Sequence, residues 1–300
     1  MSSSEQSDGA DTAPFTPAIG PFKIDAAAIS DVGNRRPQNE DRYFVGVLRQ
    51  GLERAYTNLD HAESLLQIGR RSSWVLAVAD GVAGSGAGGT AASVALEALI
   101  QRLAGSIGFP GKDADAEEEL LERLERAVQS AHERVLARGG ATTMTLVLLL
   151  WPRAYVLHVG DSRGYHLSNA GRLSQFTRDQ TVGNVLVDEG LMEEDQVSSL
   201  VHARALVSTM GGQVSLSLGL IDLEPGDTML LCTDGLTRHV SDAMIARILG
   251  EASNAAVACR ALVDEALAAG GRDNITVVVA RADIGRSAAP PASDPEATIT

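Results

Sequence analysis

The stretch VLAVADGVAGSGAGGT, residues 75–90, leads from an apolar run into a glycine-rich turn through Asp80 and Gly81. The apolar run predicts a buried strand, so Asp80 is expected where the chain leaves the core. Gly81 would let the backbone approach whatever this carboxylate binds. We interpret the pair as part of a metal site, while a single Asp-Gly pair is also typical of an ordinary turn.

Three further acidic segments lie at the ends of predicted strands. They are Asn39-Glu40-Asp41, Thr233-Asp234-Gly235 and Arg272-Asp273-Asn274. Any one of them could be ordinary turn chemistry, because Asp and Asn favour turns. The recurrence of the pattern along most of the chain predicts instead that these acids converge on one rim and bind metal.

Composition limits the classes of function. The protein has 300 residues, of which 44% are hydrophobic, and a formal net charge of -14 at pH 7. This length and composition allow a substantial core, and the negative charge disfavours nucleic-acid binding. Cys232 and Cys259 lie far apart in apolar segments, which predicts buried thiols in a reducing compartment rather than a disulfide or a zinc site.

The sequence shows neither a secretory signal nor a membrane helix. The polar N-terminal residues lack a basic start followed by an apolar core. The longest apolar run, residues 146–151, ends at Pro152 and is far shorter than the roughly 20 residues of a membrane helix. We therefore expect a cytoplasmic protein that makes no membrane contact.

The two ends of the sequence differ in composition from its centre. Residues 1–20 are rich in Ser, Asp, Gly and Pro, and residues 284–300 in Pro, Ala and Ser, so both predict disordered tails. Residues 21–283 are expected to form one folded domain. Within it, residues 46–73 lack a clear period and predict an inserted connection, and residues 177–212 predict a small flap beside a sheet.

Hydrophobic periodicity changes along the chain. Helical spacing predicts helices at 92–103, 115–138, 241–249 and 253–268, with a short one at 60–67. Short β-rich runs separated by turn residues predict antiparallel strands, at 22–29, 142–151, 154–159, 164–167, 172–175, 214–223 and 274–280. The expected fold class is α+β, with helices packed on antiparallel sheets.

An ordered set of motifs resembles that of the metal-dependent type 2C protein phosphatases, the PPM family, in its bacterial serine/threonine form. In chain order the motifs are SDVG (30–33) followed by Arg36, Glu40 and Asp41, ADG (79–81), VGDSR (159–163), TRD (177–179), CTDGLT (232–237) and GRDNIT (271–276). The resemblance covers residues 23–282. Each motif alone is modestly specific, and all of them in one order are very specific.

The resemblance implies an antiparallel β-sandwich flanked by α-helix pairs, a four-layer αββα fold. It also implies two manganese or magnesium ions at one end of the sandwich. Asp80 would bridge the ions, and Asp41 would hold metal-bound waters. The implied metal ligands are Glu40, Asp41, Asp80, Gly81, Asp234 and Asp273.

The implied activity is hydrolysis of phosphoserine and phosphothreonine in proteins by a metal-bridging hydroxide, opposing a serine/threonine kinase. The implied catalytic residues are Arg36, Asp41 and Asp80. By its place in the motif, Arg36 would bind the phosphate, because a guanidinium can contact two oxygens at once. Arg35 is the competing choice. The expected partners are phosphorylated proteins, among them a kinase and its substrates, and a monomer is favoured.

The sequence departs from the family pattern in the glycine turn and after Asp234. In the turn, Ala83 and Ser85 stand where bacterial members often carry glycine and histidine. Val82 stands where some members carry a histidine proposed as general acid. Asp161 resembles a ligand of a third, weaker metal, but its usual companion four residues after Asp234 is Arg238, a cation where an acid is expected. A third ion is therefore disfavoured. Arg163 is predicted to be a structural ion-pair partner.

Two alternatives to a phosphatase stay open. The first is a catalytically silent binding or regulatory module that keeps the fold, although the acids needed for two metals are all present. The second takes the glycine-rich turn as a nucleotide-phosphate cradle. The turn lacks a Gly-Lys-Ser/Thr ending and dinucleotide spacing, which argues against that interpretation.

Overall fold

The computed structural model describes residues 22–50, 71–82, 87–106, 114–197 and 200–284. The predicted tails, apart from Ile284, and the predicted helix at 60–67 lie outside the described residues. Within the described ranges, no helix combines the length and the apolar character that crossing a membrane requires.

The strands form two five-stranded antiparallel sheets. In chain order they are β1 (Phe22–Asp31), β2 (Arg42–Gln50), β3 (Arg71–Ala79), β4 (Met144–Leu150), β5 (Arg153–Val159), β6 (Arg163–Leu167), β7 (Leu173–Gln175), β8 (Ser217–Asp222), β9 (Thr228–Cys232) and β10 (Ile275–Ile284). The first sheet has the order β1-β10-β9-β6-β7, and the second has the order β2-β3-β4-β5-β8.

The described helices flank the sheets or lie beside them. They are α1 (Gly88–Ser106), α2 (Ala114–Arg138), α3 (Val182–Asp188), α4 (Glu194–Val197), α5 (Asp234–Thr237), α6 (Asp242–Glu251) and α7 (Ala255–Ala268). Ser241 and Asn254 cap the N-termini of α6 and α7 by accepting backbone hydrogen bonds.

Three apolar clusters lie between four layers of helices and sheets. One cluster joins α1 and α2 to the sheet that contains β3 and β4, and another joins α6 and α7 to the sheet that contains β9 and β10. The third lies between the two sheets, where Leu76 packs near Val278 and Leu231. Helices and strands therefore stack in the order αββα, and the predicted fold class is confirmed.

The predicted insertion at 46–73 is too long. β2 continues to Gln50 and β3 begins at Arg71, with Gln50 paired to Arg71 and Arg42 paired to Ala79. The ends of this strand pair carry polar residues, so they lack the alternation by which strands are recognised. Backbone hydrogen bonds between neighbouring strands do not depend on that alternation.

The strand registers place the acidic segments at one end of the sandwich. In one sheet, Asp31 at the end of β1 pairs with Ile275 at the start of β10, and Val277 pairs with Cys232 at the end of β9. In the other sheet, Arg42 at the start of β2 pairs with Ala79 at the end of β3. The residues just outside these termini therefore come from both sheets.

Candidate active site

Asp41 is the buried centre of this end of the sandwich. Its Oδ2 accepts hydrogen bonds from Thr233 Oγ1 at 2.8 Å and from Thr276 Oγ1 at 2.7 Å. Its Oδ1 is buried without a hydrogen-bond partner among the described residues. Burial raises the pKa of Asp41 to about 7. The hydrogen bonds from the two threonines lower this pKa, and the charges of Asp234 and Asp273 raise it.

Asp80 follows β3 and is held by its backbone. Its N–H donates to Thr143 Oγ1 at 2.9 Å, and its carbonyl accepts from the Thr142 hydroxyl at 2.8 Å and from the Thr143 N–H at 2.9 Å. These bonds involve only the main chain of Asp80, and its carboxylate interacts with the charges of the other acids. Burial raises the pKa of Asp80, and the negative charges of Asp41 and Asp234 raise it further.

Asp234 begins α5, directly after β9. Its Oδ1 is the second carboxylate oxygen at this site that is buried without a hydrogen-bond partner among the described residues. Burial raises the pKa of Asp234. The next residue must be small, because a Cβ on Gly235 would lie 1.9 Å from the Asn274 carbonyl oxygen. This close approach brings α5 against the start of β10.

Two arginines hold the carboxylates of Asp273 and Asp234. Arg36 Nε lies 2.8 Å from Asp273 Oδ1, and Arg36 Nη2 lies 2.8 Å from Oδ2. Arg238 forms ion pairs with Asp234 and with Asp273, the latter at 3.3 Å. The hydrogen bond to Asp273 raises the pKa of Arg36. Both guanidinium groups therefore converge on one carboxylate.

Glu40 lies beside the turn that follows Asp80. The backbones of Gly81 and Gly88 are in contact, so that a Cβ on Gly81 would lie 2.3 Å from the Gly88 carbonyl carbon. A Cβ on Gly88 would lie 3.0 Å from Glu40 Oε1. Both positions need glycine because backbone and carboxylate approach each other here.

The structure thus brings every predicted site residue except Arg35 into one network of contacts and mutual charge effects, which Asp161 joins through its charge alone. The charges of Asp80 and Glu40 also act on Arg36, and that of Asp161 acts on Asp80. The assignment of individual metal ligands remains a prediction.

Asn274 is a site residue for which sequence reasoning predicts no role. Its Nδ2 donates to the carbonyl oxygens of Val32 and Gln38, each at 2.9 Å, and its Oδ1 accepts from the Glu40 N–H at 2.9 Å. The side chain therefore fastens the loop that carries Arg36 and Glu40. The sequence points to Asn274 only through its position in the motif GRDNIT, and this motif does not show which distant loop the side chain binds.

A cavity of about 380 Å³ adjoins the acidic site. Asp161, Arg204, Asp234 and Arg238 contribute to its wall, together with α3 and α4 of the predicted flap. Burial raises the pKa of Asp161 to about 7, as do the charges of Asp234 and Asp179, and the charge of Arg238 opposes the rise.

The predicted role of Arg163 as an ion-pair partner is confirmed. Its Nε lies 2.9 Å from Asp179 Oδ1, and its Nη2 lies 2.7 Å from Oδ2. The ion pair connects β6 to the segment before α3. The prediction of two buried thiols is also confirmed, because Cys232 and Cys259 are free and buried.

The site fits a hard divalent cation. As they stand, no three His, Cys, Asp or Glu side chains among the described residues are arranged to hold an ion, and arginine and threonine groups contact the carboxylates. A buried carboxylate oxygen without a donor is costly, however, and Asp41 Oδ1 and Asp234 Oδ1 are both of this kind. Magnesium and manganese prefer such oxygen ligands, and a bound cation would satisfy both atoms.

Comparisons with known proteins agree with this architecture. A crystal structure of the catalytic domain of the serine/threonine protein phosphatase PstP, in complex with two manganese ions, superposes with a TM-score of 0.65 at 33% sequence identity. The superposition covers 87% of this chain and 98% of the PstP chain. The fold is therefore that of a bacterial serine/threonine phosphatase catalytic domain.

The chain belongs to the protein phosphatase 2C family, whose model matches residues 58–269. It is 32% identical over 263 residues to the serine/threonine protein phosphatase PstP of Mycobacterium tuberculosis, a match that covers 85% of this chain and 44% of PstP. The chain thus spans less than half the length of that relative. It is also 26% identical over 223 residues to the serine/threonine phosphatase stp of Listeria monocytogenes, covering 70% of this chain and 85% of stp.

Proposed function

We propose that this protein is a metal-dependent protein serine/threonine phosphatase, which hydrolyses phosphoserine and phosphothreonine in other proteins. The observation that carries the proposal is the arrangement of Asp41, Asp80, Asp234 and Asp273. These acids come from both sheets and act on one another at one end of the sandwich, with Arg36 beside them. The names of the relatives support the same activity.

The metals of this proposal are two manganese or magnesium ions. Asp41, Asp80, Asp234 and Asp273 would hold them, together with Glu40 and the Gly81 carbonyl. PstP, whose catalytic domain binds two manganese ions, supports this number. Bound there, the pair would make water nucleophilic at neutral pH and neutralise phosphoryl oxygens during in-line displacement.

The protein's own side chains contribute positioning and charge. Arg36 is the phosphate-binding residue, because its guanidinium already binds two oxygens of a carboxylate in a planar bidentate arrangement. Thr233 and Thr276 fix the orientation of Asp41 through Oδ2 and leave the buried Oδ1 available to a cation. Asn274 keeps the loop that carries Arg36 against the start of β10.

The physiological substrates in this proposal are phosphoproteins. They include a serine/threonine kinase and its targets, which the phosphatase returns to their unmodified state. Cytoplasmic action is part of the proposal, and the buried free thiols of Cys232 and Cys259 accord with a reducing compartment.

The test is turnover of a phosphothreonine peptide and of p-nitrophenyl phosphate by the full chain, with and without manganese chloride. We expect manganese-dependent release of phosphate, which Asp234→Asn reduces by at least 100-fold. A matched control is Asp222→Asn, an exposed acid on β8 that makes the same charge change away from the site. Absence of turnover on both substrates in saturating manganese would contradict the proposal.

A further inference from the structure

Arg238 occupies a fixed place at the edge of the site. It follows α5 directly, and its backbone N–H donates to the Asp234 carbonyl oxygen at 2.9 Å. Its side chain therefore lies on the same helical face as that of Asp234, four residues earlier. The position of its positive charge is set by the same short helix that positions Asp234.

The guanidinium of Arg238 links two acids and also borders the cavity. It forms one ion pair with Asp234 and one with Asp273 at 3.3 Å. The side chain is 37% exposed and shares the cavity wall with Asp161. Arg238 therefore pairs with two of the predicted metal ligands and also acts on Asp161 through its charge.

The charges of this region balance with two divalent ions. The carboxylates are those of Glu40, Asp41, Asp80, Asp161, Asp234 and Asp273. The guanidinium groups that contact this set are those of Arg36 and Arg238. Two divalent ions added to these two arginines match the carboxylates in charge. Arg204 in the cavity wall also acts on Asp234 and adds a further positive charge, so the site does not need another ion for neutrality.

A further ion on the cavity side would lie between Asp161 and Asp234. Asp179 and Glu194 also border the cavity, but Asp161 and Asp234 are the two on which the charge of Arg238 acts. The arginine pairs with Asp234 there and would repel a divalent cation at a distance shorter than the screening length of about 8 Å at physiological ionic strength.

We propose that Arg238 is a fixed counter-charge, which takes the place of a further divalent ion on the cavity side and limits this site to two ions. The inference rests on the metal dependence in the proposed function and goes beyond it, because it concerns how many ions the chain binds. Arg238 is in this sense a positioning residue: it acts through Asp234 and Asp273, not on the substrate.

The experiment is equilibrium dialysis of the full chain against manganese chloride, with manganese and protein measured by elemental analysis. We expect about two ions per chain for the wild type and for Arg238→Lys, which keeps the charge. Arg238→Asp removes the counter-charge and supplies a carboxylate, so it should bind about three ions. The double variant Arg238→Asp with Asp161→Asn should return to about two.

Three ions bound by the wild type would overturn the inference, and so would two bound by a folded Arg238→Asp variant. If Arg238→Asp does not fold, as judged by its circular dichroism, Arg238→Asn replaces it, since the amide oxygen can also bind a hard cation without the repelling charge. The expected result for Arg238→Asn is again a third, weaker ion, and its absence would overturn the inference.

Turnover of p-nitrophenyl phosphate on the same preparations separates this inference from the proposed function. Two ions bound by the wild type and three by Arg238→Asp, without turnover by the wild type, would contradict the phosphatase activity and support the role of Arg238. Turnover by a wild-type protein that binds three ions would support the activity and overturn the role of Arg238.

Discussion

Arg36 binds both carboxylate oxygens of Asp273, although the two residues are 237 positions apart in the chain. The ion pair joins the loop before β2 to the loop before β10. A bidentate arrangement of this kind is also how arginine binds phosphoryl oxygens. In the proposed function, Arg36 would bind a phosphate next to Asp273.

Replacing Arg36 with Gln should lower kcat/KM for a phosphothreonine peptide by about 10- to 100-fold, because a hydrogen bond to a charged group contributes about 1.5–3 kcal/mol. Most of the loss should appear in KM. The matched control is Arg35→Gln, which makes the same change one residue earlier on an exposed side chain. Equal losses in the two variants would contradict the assignment of Arg36.

Asn274→Asp should weaken the loop that carries Arg36. The change keeps the shape of the side chain but removes the two N–H bonds to Val32 and Gln38 and places a charge against their carbonyl oxygens. We expect the free energy of unfolding in urea to fall by about 2–3 kcal/mol. Asn34→Asp, at an exposed amide that donates to Leu267 and Gly270, is the control and should cost less than about 1 kcal/mol.

His158 makes the stability of the folded protein depend on pH, and one substitution isolates its contribution. Its Nδ1 lies 2.9 Å from Thr145 Oγ1 and its Nε2 lies 3.0 Å from the Arg178 carbonyl oxygen, as fits a neutral ring with its proton on Nε2. Burial lowers its pKa below 6.5 in the folded state. Below pH 6.5 the unfolded chain therefore binds the proton more readily, and the stability due to the neutral ring is lost as pH falls.

The measurement for His158 is the difference in unfolding free energy between the wild type and His158→Gln at pH 7.5 and at pH 5. Glutamine keeps a donor for the Arg178 carbonyl but does not titrate. The wild type should lose stability relative to the variant on going to pH 5. A difference that is independent of pH would contradict the assignment.

Manganese should stabilise the folded protein. The ions bind groups that the unfolded chain does not bring together, so a free concentration 100 times the dissociation constant adds about 2.7 kcal/mol per site. Urea unfolding in manganese chloride and in EDTA measures the gain. Asp234→Asn should lose most of it and Asp222→Asn should keep it. An equal gain in both variants would indicate binding elsewhere.

The fold and the acids of the site could be predicted because they depend on local patterns. Apolar periodicity marks the helices and the buried strands, and Asp80 and Asp234 lie at the ends of apolar runs that any strand prediction would find. The polar ends of β2 and β3 were missed, since their pairing depends on backbone hydrogen bonds that side chains do not reveal.

The contacts that hold the site could not be predicted in the same way. The bonds of Asn274 to Val32 and Gln38 span more than 230 residues, as do those of Thr276 to Asp41. Threonine and asparagine are common beside strands, so their type alone does not select a distant partner. The ion pair of Arg238 with Asp273 is equally invisible before the chain is folded.

The most direct test of the central claim is an anomalous difference map, collected at the manganese absorption edge from crystals grown with manganese chloride. The account predicts two strong peaks among the carboxylates of Asp41, Asp80, Asp234 and Asp273, with Arg238 still paired with Asp234. Peaks on other faces of the molecule, or no peak beside these four carboxylates, would contradict it.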